Sequence, residues 1–193
     1  MENDKILKLV EYYSESCSVN NDPGHDFLHV KRVRSLALKI ASTLECDLFL
    51  VELLSLLHDI EDKKLNTGHK VKDFLDNIDI EESYKEKLLY ILPYMSFSKY
   101  PRLPEDFPIE GKIIQDADRL DAMGAIGIAR AFSFGGKHQR KMYGSEDSTI
   151  KHFEEKLLIL DQYLYFDKSK EIAKNRMESA KAFYEEFLKE IKE

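Results

Sequence analysis

Two adjacent polar residues, His58 and Asp59, end the apolar run in LSLLHDIEDKK, Leu53 to Lys63. A second histidine, His29, and a further aspartate, Asp118, lie in other segments of apolar periodicity. Imidazole nitrogens and carboxylate oxygens are ligands that Mn, Fe, Co, Ni and Zn accept more readily than Ca does. Two neutral imidazoles and two carboxylates would also balance the charge of a divalent cation. A single inward histidine is more often a hydrogen-bonded core residue, so the hypothesis requires several such side chains to converge.

The direction of each histidine can be tested with helix geometry, at about 100° per residue. In residues 26–44, His29 lies within the arc of Val33 and Ile40. In residues 47–60, His58 points to the core side, whereas Asp59 turns about 100° away, toward Ser55. Both histidines are therefore predicted to face inward.

The segment IIQDADRLDAMGAIGIAR, Ile113 to Arg130, adds carboxylates. Asp121 lies within its apolar arc and Asp118 at the edge of that arc, while Asp116 and Arg119 point elsewhere. A buried carboxylate is costly unless it is paired or holds a cation. One shared divalent cation would satisfy the inward histidines and aspartates together.

The elements that must position these residues are helices. Apolar residues recur at helical spacing in residues 2–17, 26–44, 47–60, 82–94, 109–134 (as one helix or two) and 168–190. No stretch alternates with period two, so the sequence predicts an all-α fold. Irregular connections are expected at Pro93–Pro108 and Gly135–Ser148. No linker divides the chain, and residues 1–193 are interpreted as a single domain.

Composition excludes several classes of function. The 193 residues carry a formal net charge of −7, which argues against a broad nucleic-acid surface. No apolar run approaches the ~18 residues of a membrane span, and the N-terminus is too charged for a secretory signal. Cys17 and Cys46 form no CxxC motif and are interpreted as reduced thiols. We expect a cytoplasmic protein, either a monomer or a homodimer, with no membrane or nucleic-acid partner.

The ordered residues His29, His58-Asp59 and Asp118 resemble the H…HD…D signature of HD-domain metal-dependent phosphohydrolases. The similarity covers nearly the whole chain, through the strings GHDFLHVKRV, LLHDIEDKK, SFSKYP, QDADRLDAMGAIGIARAF and KHFEEKLLIL. These strings are similar to the small stand-alone bacterial members, some of which resemble nucleoside-triphosphate pyrophosphohydrolases. The resemblance implies a compact HD-domain helical bundle with one divalent metal ion. Mn is expected, with Mg, Fe, Co, Ni or Zn as alternatives.

The resemblance also implies roles for individual residues. The metal ligands would be His29, His58, Asp59 and Asp118, the last preferred over Asp116 because the family ligand stands in an A-D-x-L context. Asp62 would be the general acid or base, with Glu61 as a competitor. Asp121 is expected to orient a ligand histidine. The phosphates of a nucleotide or other small phosphorylated substrate would be held by basic residues, namely Lys63, Lys64, Arg119, Arg130 and Lys137.

Some alternatives stay open. The expected reaction is hydrolysis of a (deoxy)nucleoside triphosphate to monophosphate and pyrophosphate; the alternatives are a nucleotide monophosphatase, a phosphodiesterase, or a non-catalytic nucleotide-binding regulatory module. Met95 precedes SFS where a two-metal relative would have histidine, which disfavours a two-metal site. His25 and His29 are spaced as in an HExxH zinc peptidase, but Asp26 replaces the glutamate. His25 could instead line the pocket or cap the helix near Asp26.

Overall fold

The described part of the chain is built from helices. The structure is a computed structural model that describes residues 2–18, 24–61 and 70–192. Its α-helices are α1 (Glu2–Cys17), α2 (Phe27–Ala41), α3 (Leu48–Leu57), α4 (Val71–Leu75), α5 (Glu82–Ile91), α6 (Ile109–Asp121), α7 (Gly124–Lys137), α8 (Thr149–Glu155) and α9 (Asp167–Glu190). Two 3-10 helices cover Leu92–Tyr94 and Leu157–Tyr163. The all-α prediction is confirmed for these residues.

The predicted segments correspond closely to the observed helices. The first and last predictions agree with α1 and α9 to within a residue, and α5 with its following 3-10 helix covers the predicted 82–94. The predicted 109–134 segment is two helices, because the chain turns at Gly124, where φ is +68°. Both expected irregular connections are present, although α7 extends to Lys137 before the second one.

Contacts within the chain form two compact units, residues 1–117 and 118–193. The first unit holds α1 to α5 and most of α6, and the second holds the last turn of α6 and α7 to α9. The interpretation of the whole chain as one domain remains a prediction.

Helix α3 is the centre of the first unit. It contacts α1, α2 and α5, and its leucines at 50, 53, 54, 56 and 57 are each at most 2% exposed. This burial agrees with a segment that is apolar almost all round. The side chain of Asp47 caps the helix by accepting a hydrogen bond of 3.0 Å from the Leu50 amide. The core of this unit therefore fixes the helix whose end carries His58.

Arg34 links three helices of the first unit. From α2, its Nε lies 2.8 Å from Glu52 Oε2 on α3, and its Nη1 lies 3.4 Å from Glu11 Oε2 on α1. The three side chains are partly exposed, so we expect only a modest contribution to stability. They connect side chains of α1, α2 and α3.

The second unit is organised around aromatic side chains. Phe132 of α7, Phe153 of α8 and Phe183 of α9 have ring centroids 5.7–5.9 Å apart. Phe153 is completely buried, and α9 contributes Ala173, Met177 and Ala180 to the buried face, as its apolar stripe predicts. The exposed side chains of α9 are mostly charged, and none of the described helices is long and apolar enough to cross a membrane.

The start of α7 gives a test of the fold. A Cβ atom at Gly127 would lie 2.1 Å from the Ala122 carbonyl oxygen, whereas a Cβ at Gly136 of the same helix would meet nothing within 4 Å. Because a backbone carbonyl cannot move aside cheaply, Gly127→Ala is expected to lower the free energy of unfolding by about 1–3 kcal/mol. Gly136→Ala is the matched control, with stability unchanged or raised by less than about 1 kcal/mol. Urea denaturation of both variants measures the difference, and equal midpoints would contradict the predicted overlap.

Candidate metal centre

The first turn of α2 carries His29. The Asp26 side chain caps this helix by accepting a hydrogen bond of 2.9 Å from the His29 amide. His29 is 0% exposed and lies on the same buried face as Val33 and Ile40, as the helical geometry predicts. Capping thus fixes the backbone of the residue whose imidazole enters the core.

The end of α3 carries His58, which directly follows Leu57. Its Nδ1 lies 2.8 Å from the Ser55 carbonyl oxygen. Because a carbonyl oxygen only accepts, Nδ1 carries a proton, and Nε2 is the nitrogen that faces His29. The His58 side chain is 2% exposed. An imidazole that is held through Nδ1, with Nε2 directed at the cluster, has the orientation that a metal ligand requires.

Asp59 lies among three imidazoles. Its Oδ2 is 3.0 Å from His25 Nδ1 and 3.2 Å from His29 Nε2, and its Oδ1 is 3.6 Å from His58 Nε2. Burial acts to raise the pKa of the Asp59 carboxyl, but the neighbouring His58 and hydrogen bonds from His25 and His29 hold that pKa well below its usual range. Asp59 is therefore a carboxylate, the form that binds a cation.

The direction predicted for the Asp59 side chain is compatible with its place in the cluster. The wheel turns Asp59 toward Ser55, and Ser55 is itself 0% exposed. Helix α3 ends at Leu57, and the Ile60 amide donates a hydrogen bond of 3.2 Å to the Leu57 carbonyl. The backbone through His58 and Asp59 therefore forms a tight turn. His58 and Asp59 consequently share one site, although they point in different directions from the helix axis.

The donor set of this cluster fits a divalent transition metal. His29 Nε2 and His58 Nε2 are 3.3 Å apart, and one ligand atom each from His25, His29 and Asp59 lies within 4.8 Å of the others. Two imidazole nitrogens with a carboxylate oxygen suit Mn, Fe, Co, Ni or Zn. The structure thus brings together three of the predicted ligands, His29, His58 and Asp59.

Asp118, the fourth predicted ligand, is a half-buried residue in the last turn of α6. Its role as a ligand stays a prediction. The sequence predicted that Asp116 and Arg119 of the same helix point away from the buried side. This prediction is wrong, because Asp116 is 0% and Arg119 is 3% exposed. The α6 segment from Ile113 to Asp121 is therefore buried on nearly every side.

The other predicted residues of the second unit make contacts within that unit. Asp121 accepts a hydrogen bond of 2.8 Å from Arg130 Nη1. Arg119 donates to the Tyr163 carbonyl oxygen at 2.8 Å and lies 5.4 Å from the centroid of the Tyr165 ring. Lys137 is exposed at the end of α7. Substrate binding by these three basic residues, and orientation of a histidine by Asp121, remain predictions.

The segment after the His58-Asp59 pair is described in part. The predicted acid or base Asp62 and the predicted phosphate-binding Lys63 and Lys64 lie outside the described residues. Glu61 accepts a hydrogen bond of 2.8 Å from the Val71 amide at the start of α4. Its carboxylate therefore has a structural partner.

His25 was not among the predicted ligands, and lining the pocket was one of its two open roles; its ring contacts Asp59. The signal for it was present in the sequence, since His25 and His29 are four residues apart. The peptidase motif that shares this spacing places both histidines on one helix, whereas here α2 begins at Phe27 with Asp26 as its cap. His25 thus reaches the cluster from the turn that precedes the helix.

Comparison with known proteins gives the family. The HD domain model matches residues 26–123, a range that contains all four predicted ligands. The chain is 37% identical to the Bacillus subtilis protein YpgQ, over 97% of this chain and 94% of that protein. The crystal structure of YpgQ in complex with ADP has a TM-score of 0.82 at 36% identity, covering 96% of this chain and 97% of that one. An HD-superfamily hydrolase from Bacillus thuringiensis has a TM-score of 0.77 at 31% identity, covering 98% of each chain. The helical fold, the clustered His29, His58 and Asp59, and these similarities together show that the chain belongs to the HD-domain superfamily.

Proposed function

We propose that the protein is a divalent-metal-dependent phosphohydrolase that acts on nucleotides. The proposed reaction cleaves a phosphoanhydride of a (deoxy)nucleoside triphosphate and releases a monophosphate and pyrophosphate. The observation that carries the proposal is the cluster of His29, His58 and Asp59, in which two buried imidazoles and a carboxylate converge. The HD-domain relationship supports hydrolysis as the chemistry.

The proposed centre holds one metal ion, with Mn as the expected metal. His29, His58 and Asp59 would bind it, and Asp118 is proposed as the fourth ligand from the Ala117-Asp118-Arg119-Leu120 context. The hydrogen bond from His58 Nδ1 to the Ser55 carbonyl keeps Nε2 available for coordination. When bound, the cation would polarise a phosphoryl oxygen and increase the acidity of an attacking water.

Asp62 is proposed as the general acid or base. It would orient or deprotonate the attacking water, or protonate the leaving oxygen. Its competitor, Glu61, accepts a hydrogen bond from the Val71 amide, so its carboxylate already stabilises the start of α4. This contact favours Asp62 for the proton transfer.

A nucleotide is proposed as the substrate for two reasons. YpgQ, at 36% identity, has been crystallised in complex with ADP. The chain also has basic residues next to its signature motifs, since Lys63 and Lys64 follow the His58-Asp59 pair and Arg119 follows Asp118. Together with Arg130 and Lys137, these side chains are proposed to hold phosphate oxygens.

The reaction can be tested with the Mn²⁺-loaded protein and a panel of nucleoside triphosphates and monophosphates. We expect a monophosphate and pyrophosphate in equal amounts, separated by anion-exchange chromatography. Inorganic phosphate with a nucleoside would instead indicate a monophosphatase. Absence of turnover with Mn, Mg, Co, Ni and Zn alike would favour a non-catalytic binding module.

The ligand assignment predicts loss of metal in His58→Ala and Asp118→Ala. Changes beyond the ligand shell typically cost about 10–100-fold in metal affinity, so loss of a ligand should cost at least about 100-fold and abolish turnover. Metal content by mass spectrometry and binding by calorimetry measure this. His138→Ala, an exposed histidine packed on Phe134, is the control. A variant that keeps both metal and turnover would remove that residue from the centre.

The choice of acid or base predicts different effects for two neighbouring carboxylates. Asp62→Asn should lower kcat by about 100- to 10,000-fold, because it removes proton transfer, while Mn²⁺ affinity is retained. Glu61→Gln should keep nearly full activity, since its amide oxygen can still accept from the Val71 amide. Steady-state kinetics distinguish the two, and a larger kcat loss in Glu61→Gln would reverse the assignment.

A further inference from the structure

We propose that His25 is a positioning residue of the metal centre, which holds the Asp59 carboxylate for coordination by donating a hydrogen bond to it. The inference rests on the proposed function only in that the centre binds a divalent cation. It assigns a role to a side chain outside the His29, His58, Asp59 and Asp118 set.

The contact itself has the length of a hydrogen bond. His25 Nδ1 lies 3.0 Å from Asp59 Oδ2. Because an ionised carboxylate only accepts, the Nδ1 atom carries the proton. Hydrogen bonds to a charged acceptor are about twice as strong as neutral ones. The ring nitrogen that faces the cluster is therefore committed to Asp59 rather than available to a cation.

Asp59 needs this partner because its carboxylate can rotate, and because His29 Nε2, which lies 3.2 Å from the same oxygen, is itself a proposed metal ligand. The terminal torsion of an aspartate is broad and roughly two-fold, so the two oxygens exchange places easily. His58 and Asp59 are adjacent, and the α3 helix ends before them, so helix packing does not lock the Asp59 head group. A donor at Oδ2 selects one orientation and leaves the other oxygen facing His58, at 3.6 Å from Nε2.

The backbone holds His25 in place from both sides. Gly24 has φ of +96°, in the region that favours glycine. Asp26 is the N-cap of α2 and bonds the His29 amide at 2.9 Å. His25 is thus fixed between a glycine turn and a helix cap, and the same cap fixes His29. The sequence Gly24-His25-Asp26 therefore positions a ligand and the partner of another ligand together.

Exposure separates this role from a purely structural one. The His25 side chain is 29% exposed, whereas those of His29 and His58 are 0% and 2% exposed. Truncation of His25 leaves little buried cavity, and its effect on folding should be small. An effect on the metal would then come from Asp59.

The test measures Mn²⁺ binding to the metal-free protein by calorimetry, without substrate. Wild type is compared with His25→Ala and His25→Asn, and His138→Ala is the control. In His25→Ala the dissociation constant should rise about 10- to 100-fold, in the range typical of partners of metal ligands. His25→Asn should recover most of the affinity, because its amide nitrogen can occupy the place of Nδ1. All four proteins should bind the same number of Mn²⁺ ions per chain.

Two results would overturn the inference. Equal affinity in wild type and His25→Ala would show that the hydrogen bond does nothing for the metal. A reduced number of ions in both His25 variants, with no recovery by asparagine, would make His25 a ligand instead. Circular dichroism checks the fold of each variant. Since the readout is binding, it is independent of whether the protein hydrolyses any nucleotide.

Discussion

The burial of charge at Asp59 is the constraint on which the centre depends. A carboxylate in this position is unfavourable unless it is paired, and the structure surrounds it with the imidazoles of His25, His29 and His58. His29 belongs to α2 and His58 follows the end of α3, and these two helices contact each other. His25 comes from the turn before α2. The pairing of Asp59 therefore depends on the packing of α2 against α3, because a shift of either helix would separate the carboxylate from its imidazole partners.

The two histidines of the candidate metal centre lie at helix ends rather than in the middle of a helix face. His29 lies in the first turn of α2 and His58 directly after the last residue of α3. At such positions the backbone amides and carbonyls lack partners within the helix, so side chains and caps must complete the hydrogen bonding. The Asp26 cap and the bond from His58 Nδ1 to the Ser55 carbonyl do this. The same bonds fix the two imidazoles, so local stability and site geometry have a common origin.

Periodicity in the sequence was sufficient for the long helices and for the inward direction of His29 and His58. It was insufficient for α4 and α8, which have five and seven residues and contain too few turns to show a pattern. It also missed the burial of Arg119, because the wheel has no information on the Tyr163 carbonyl and Tyr165 ring that accommodate the guanidinium. The contact of His25 with Asp59 was not predicted for a similar reason, because His25 lies in a turn and the two residues are 34 apart in sequence.

The negative net charge of the chain is a reason for the proposed site to hold a cation. A nucleoside triphosphate carries several negative charges, and it would approach a protein whose net charge is −7. The cluster adds the ionised carboxylate of Asp59 to this negative balance. A divalent ion at the cluster would make the local potential positive. Without the ion, the Asp59 carboxylate repels a phosphate; with the ion bound, the same carboxylate would hold the positive charge that attracts the phosphate.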